Sequence, residues 1–236
     1  MKINHTFIIL TFIVISVMSC AKSASLNLDT TPVNSDTSFQ PATAGSFWVY
    51  YTTDINGVLK DSFTVSSTGR DTAINSKQYV VFNYDTSQQY QYNSGKQYAF
   101  RFTSYNFNTT YGLITLKGLN VYYINNSTDP VGTQWNFSCI DGDYVTVPMA
   151  PVPVQTRAVG IVRGTGFQVT DSLNNVTYKN VFYSHINYQV NYLNSWTTVG
   201  AMDIYAAKSV GILIIKTYGQ NGQLSSTQTL NRCQIN

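Results

Sequence analysis

The 236-residue chain contains no glutamate; all 11 of its acidic residues are aspartate. A strong helix former is therefore missing while a turn former is kept, which weighs against long helices. Charged residues make up only 11 %, and the net charge of +3 is scattered, without the basic run or stripe that nucleic-acid binding needs. There are two histidines, and His5 falls in the N-terminal segment expected to be a cleaved signal, so His185 stands alone in the rest of the chain. A two-histidine metal site is excluded there, and a Ser–His–Asp triad would have to use that one residue. No Gly-x-Ser-x-Gly elbow and no glycine-rich phosphate loop occur, and no cofactor is expected. A hydrolase built on two carboxylates would need aspartate pairs. The nearest candidates, Asp129 and Asp141-Gly142-Asp143, read better as turns.

Hydrophobic residues make up 43 % and aromatics 14 %, with 18 Tyr and 12 Phe. This is not the composition of a disordered chain, which is poor in aromatics. A chain of this length can bury a core without disulfide staples, and its Tyr, Thr, Val, Phe and Ile favour strands. Strands are expected at 47–52, 59–66, 78–84, 98–104, 111–117 and 121–124. Further strands are expected at 134–139, 155–169, 176–192, 199–207, 211–218 and 223–230. The separators are Ile55-Asn56-Gly57, Thr68-Gly69-Arg70, Asn93-Ser94-Gly95, Asp141-Gly142-Asp143 and Gln220-Asn221-Gly222. Asn-Gly is a strong hairpin signal because tight turns need positive φ. The expected fold is all-β: an antiparallel meander forming an open or half barrel, or a sandwich. Residues 201–209 read as strand or as one short helix.

Three anchors occur twice in the same order. Gly45-Ser-Phe-Trp48-Val-Tyr50 echoes Gly132-Thr-Gln-Trp135-Asn-Phe137. Asp71-Thr-Ala-Ile-Asn75 echoes Asp171-Ser-Leu-Asn-Asn175. Tyr111-Gly112-Leu-Ile-Thr-Leu-Lys117 echoes Val210-Gly211-Ile-Leu-Ile-Ile-Lys216. They suggest two homologous halves, 45–125 and 132–236. The boundary between them is expected in the loop after Asn125, and Pro148, Pro151 and Pro153 cluster downstream of it, where proline marks loop or sheet edge.

At the N-terminus, Lys2 precedes a continuous apolar run, 7–18. It is shorter than the about 20 residues of a membrane span and has the length of a signal-peptide core. Val17-Met18-Ser19-Cys20 follows and resembles the lipobox of bacterial lipoproteins, although Met18 is looser than that pattern. The resemblance implies cleavage before Cys20 and lipid on its thiol and new amino group. At about 0.8 kcal/mol per buried CH₂, several acyl chains hold a protein stably on a membrane. Ala21 in place of aspartate implies the outer membrane, with the periplasmic face favoured over the cell surface. The expected organisation is a signal peptide at 1–19, a lipidated cysteine with a flexible polar tether at 20–44, and one β domain at 45–236.

Gly-x-x-Trp-x-Tyr at the domain start, Asp71-Thr-Ala-Ile-Asn75 and Tyr205-Ala-Ala-Lys-Ser-Val-Gly-Ile212 together resemble uncharacterised outer-membrane lipoproteins of Bacteroidetes. That resemblance implies an envelope location and an antiparallel sheet, and no activity. In an oxidising compartment Cys139 and Cys233 are expected to pair. Thr30, Thr72 and Ser172 follow aspartate in a pattern that resembles the O-glycosylation site of that group. Trp48 and Trp135 begin strands and read as core. Trp196, read as a loop residue, is the candidate for ligand contact. Alternation places His185 on the outer face of its strand with Tyr183, Asn187 and Gln189, where a solvated histidine is expected. The sequence therefore points to a non-enzymatic envelope protein that binds a hydrophobic ligand, a glycan or a partner. A structural or adhesive role ranks second and an Asp-based hydrolase third.

Overall fold

A computed structural model describes residues 38–85, 87–109, 112–137, 145–146, 155–171, 174–192 and 194–236. Among them there is no helix, and the all-β reading holds. The strands are β1 (Phe47–Asp54), β2 (Leu59–Ile74), β3 (Lys77–Tyr84), β4 (Ser87–Asn93), β5 (Tyr98–Thr109), β6 (Gly112–Ile124) and β7 (Gln134–Phe137). They continue with β8 (Val145–Thr146), β9 (Gln155–Asp171), β10 (Val176–Tyr192), β11 (Ser195–Ala207), β12 (Gly211–Tyr218) and β13 (Leu224–Gln234). All belong to one antiparallel sheet in the order β7-β9-β10-β11-β12-β13-β1-β2-β3-β4-β5-β6-β8. Residues 201–207, left open between helix and strand, lie in β11. Short segments with hairpin turns pair most cheaply with their chain neighbours, which is why a meander results.

The sheet comprises two six-strand meanders, β7 with β9–β13 and β1–β6, joined where β13 pairs with β1. It curls until its ends meet. The Trp135 indole on β7 donates to the Tyr122 carbonyl on β6 at 3.2 Å, and the Phe137 and Tyr122 rings stack at 4.1 Å. The result is a curled half barrel.

Two of the three echoed anchors take equivalent places. Trp48 and Trp135 each sit buried on the first strand of a meander. Asn75 and Asn175 turn the next hairpin at φ of 49° and 53°. The third pair is one strand out of step, because Gly112 opens the sixth strand of its run and Gly211 the fifth. The cause is local: β3 turns back at Asp85 into β4, whereas β10 runs straight on to Tyr192.

Several boundaries differ from the sequence reading. Thr68-Gly69-Arg70 is not a turn but a bulge inside β2, where the pairing shifts between Ser67 and Arg70. Residues 112–124 form one strand rather than two. Strand β4, with the sequence SQQYQYN, is an addition to the expected strands, because a segment without branched aliphatics carries little strand signal. The proline cluster and Asp141-Gly142-Asp143 lie outside the described residues.

The core side of the curl is filled by side chains. One cluster gathers Phe100, Leu119, Tyr123, Phe182, Ile186 and Met202, and a second gathers Trp48, Phe63, Phe82, Val181 and Leu230. Packing begins before residue 45, which corrects the expected tether. Phe39 is only 4 % exposed and stands edge-on to Tyr98 at 5.7 Å and to Phe182 at 5.9 Å, so it bridges the two meanders. Gln40 is buried beside it and bonds Gln91 and Tyr123. The Ser209 amide donates to the Ser38 carbonyl, and Ser67 Oγ to the Ala42 carbonyl. A phenylalanine in an otherwise polar stretch was the signal for this strap.

Candidate functional site

Strands β9 to β12 alternate regularly. Phe182, Ser184, Ile186 and Tyr188 of β10 face the core, which leaves Tyr183, His185, Asn187 and Gln189 on the outer face. Across β11 the outer row is Trp196, Thr198, Ala201, Asp203 and Tyr205, opposite Asn191, Gln189, Asn187, His185 and Tyr183. These rows meet in an open groove of about 510 Å³. Its lining includes Arg163, Tyr183, His185, Asn187, Asp203 and Tyr218, and the β12–β13 turn closes one side.

The floor of the groove is a hydrogen-bonded chain of side chains. His185 Nδ1 lies 2.7 Å from Asp203 Oδ1, and Tyr218 donates its hydroxyl to Asp203 Oδ2 at 2.7 Å. His185 Nε2 lies 3.3 Å from Asn187 Oδ1. The rings of Tyr183 and Tyr205 stack at 4.3 Å, almost parallel. Burial alone would push the Asp203 carboxyl up, but hydrogen bonds from His185, Tyr218 and Tyr183 outweigh it and hold the group below the ordinary carboxylate range. Burial, reinforced by the Asp203 charge, pushes the Tyr183 and Tyr218 phenols well up, so both remain protonated donors at neutral pH.

Two bulges shape the site. On β9 the partner of Tyr183 is Gly164 and that of Ser184 is Val162, so Arg163 is the extra residue. On β11 the partner of Tyr188 is Gly200 and that of Gln189 is Thr198, so Val199 is the extra residue. A bulge inserts one residue, bends the strand and re-aims side chains, and such irregularities are common beside binding sites.

The residues singled out from sequence are dispersed. Trp196 is not in a loop: it begins β11 on the same outer face as the groove, half-buried, with the Arg157 guanidinium 4.1 Å above its ring. Arg157 is held there by its Nε, which donates to Gln189 Oε1 at 2.7 Å. Thr72 lies on β2 opposite Tyr79, partly exposed. Cys233 is a free, half-buried thiol on β13 opposite Trp48, and burial pushes it up to about 11. Its expected partner Cys139, like Cys20, Thr30 and Ser172, lies outside the described residues. Trp48 and Trp135 are core residues, as read. His185 does lie on the outer face, but it is not simply solvated: it is bonded to a buried aspartate 18 residues away in sequence.

No protein-family model matches the chain. No curated protein matches it either. Two solved structures resemble it in backbone. One, from Bacteroides fragilis, is described as an exported protein with a YmcC-like fold; it is 12 % identical, with a TM-score of 0.47, over 82 % of this chain and 97 % of that one. The other, from Parabacteroides distasonis, is described as a lipoprotein; it is 14 % identical, with a TM-score of 0.47, over 85 % of this chain and all of that one.

Proposed function

We propose that this chain is a lipid-anchored protein of the bacterial outer membrane whose β domain is a non-enzymatic binding module for a glycan, held in the groove over β9–β12. The observation that carries the reading is the groove itself. It combines a wide opening, a network of planar polar groups, and the rings of Tyr183 and Tyr218 in its lining. Sugars are recognised by such sets, because hydroxyls need fixed donors and acceptors and the ring faces need apolar surfaces. The anchor is supported by the Cys20 pattern at the N-terminus.

Two observations weigh against the other ligand classes. The core side of the sheet is packed, and the cavity under the Ser38–Ala44 strap, beside Gln40, Trp48 and Gln91, has about 20 Å³, room for about one water and not for an acyl chain. Asp203 has both oxygens engaged, so it is not a free acid or base of the kind a glycosidase needs. A second reading, adhesion through a partner protein, draws on the β1–β2 tip. Ile55, Val58 and Leu59 are 57 %, 52 % and 58 % exposed there.

Native mass spectrometry on a soluble form starting at Ser23, purified gently from a periplasm, tests the choice. Glycan adducts, or adducts formed on adding oligosaccharides, are expected, with lipid extracts empty. A stoichiometric co-purified lipid would overturn the reading.

A further inference from the structure

Resting on the groove as a glycan site, we infer that its ligand is an acidic sugar and that Arg163 is the residue that pairs with the sugar's carboxylate. The negative charge lining the groove belongs to Asp203, which is only 7 % exposed and spends one oxygen on His185 and the other on Tyr218. It is therefore not offered to a ligand. Behind it, Lys216 stands opposite Asp203 on β12, with its ammonium 5.9 Å from the Tyr205 ring centre. Arg163 is different: it is exposed at the rim, and neither an ion pair nor a hydrogen bond engages its side chain among the described residues.

Its place follows from the fold. Arg163 is the extra residue of the β9 bulge, where no partner on β10 fixes its register. A regular strand would give the Tyr183 row a paired neighbour here; the bulge supplies a long cation in its place. A guanidinium presents a planar fork that matches a carboxylate with two parallel hydrogen bonds. Around it, the neutral groups Asn187, Thr198, Gly219 and Gly222 line the groove, and they suit hydroxyls rather than further charge. One carboxylate per bound sugar unit, flanked by hydroxyls, describes a uronic acid.

The test uses the full chain, solubilised in detergent, with trigalacturonate and its fully methyl-esterified counterpart as probes at low salt. Binding is read by calorimetry and by the imidazole signal of His185. The acid should bind about threefold to fivefold more tightly than the ester, the scale of one well-made ion pair at an exposed rim. Arg163→Gln should bring the two affinities together, with the larger loss on the acid. Equal binding of acid and ester to the native chain would overturn the acidic specificity and leave the glycan site standing. A preference that survives in Arg163→Gln would remove Arg163 from the role. An acidic peptide that binds as well as the uronate would overturn the ligand class. If neither sugar binds or moves the His185 signal, the glycan site itself fails.

Discussion

Asp203 ties three strands together through two side chains, and its energetics can be read from its protonation. Its carboxyl titrates below the ordinary range in the folded state, and the unfolded value is about 3.9. The group therefore contributes stability above about pH 4, and that contribution is lost as the pH falls through the lowered folded value. Asp203→Asn keeps the shape and removes the charge. Its expected cost at pH 7 is about 1.5–3 kcal/mol, the range for hydrogen bonds to a charged group. Urea unfolding from pH 7 down to pH 3 should show the native and variant curves converging on the acid side. A difference that persists unchanged at pH 3 would show that the charge is not the source. Cys233 behaves in the opposite sense: raised to about 11 by burial, it is a thiol and not a thiolate at neutral pH. Alkylation of Cys233, followed by mass spectrometry, should be slow in the native protein and fast in denaturant. Rapid native labelling would contradict the packing described around Trp48.

The strap and the bulges explain why the site was less legible than the strands around it. The spans of β10 and β12 were readable to the residue, because branched and aromatic residues alternate cleanly between turn signals. The pairing of His185 with Asp203 was not. A tight turn between β10 and β11 sets Tyr192 opposite Ser195 and, carried forward without interruption, would put Met202 opposite His185. The extra residue Val199 shifts the register by one and brings Asp203 there instead. Since a one-residue slip exchanges the two faces of a strand, the bulge decides whether Asp203 meets the groove or the core. Nothing in Thr198-Val199-Gly200 announces a bulge except the glycine. The strap was missed for a different reason: one phenylalanine in a polar run has no period to detect. Phe39→Ala should cost about 3–5 kcal/mol, the range for deleting a buried aromatic, and thermal melts of this variant would measure it. A loss under 1 kcal/mol would return residues 38–44 to the tether. Gly160 is a further element-level constraint, because a Cβ there would lie 2.1 Å from the Trp135 ring that closes the curl. Gly160→Ala should destabilise by about 1–3 kcal/mol through overpacking. An unchanged melting temperature would mean that β7 is not held against β6.

At the scale of the whole molecule, composition and turn chemistry were enough for the fold class. Without glutamate, with abundant tyrosine and with glycine turns at short intervals, the chain had few alternatives to a meander. What sequence could not supply was how far the sheet closes, since curl depends on bulges and on contacts such as Trp135 with Tyr122. Closure matters for function. It fills the core side with aromatic rings and leaves the outer face of β9–β12 as the surface on which a ligand can be held. Where a glycan binds is therefore the central question. His185 makes this unusually direct, since it is the only histidine in a soluble form starting at Ser23, and its imidazole signals need no assignment. Titration of that protein with oligosaccharides, followed by proton–nitrogen NMR of the ring, is the decisive measurement. The account predicts that these signals shift and saturate together with the calorimetric binding curve, and that Asp203→Asn weakens both. Saturable binding that leaves the His185 ring unmoved would place the ligand elsewhere and contradict the groove as the site.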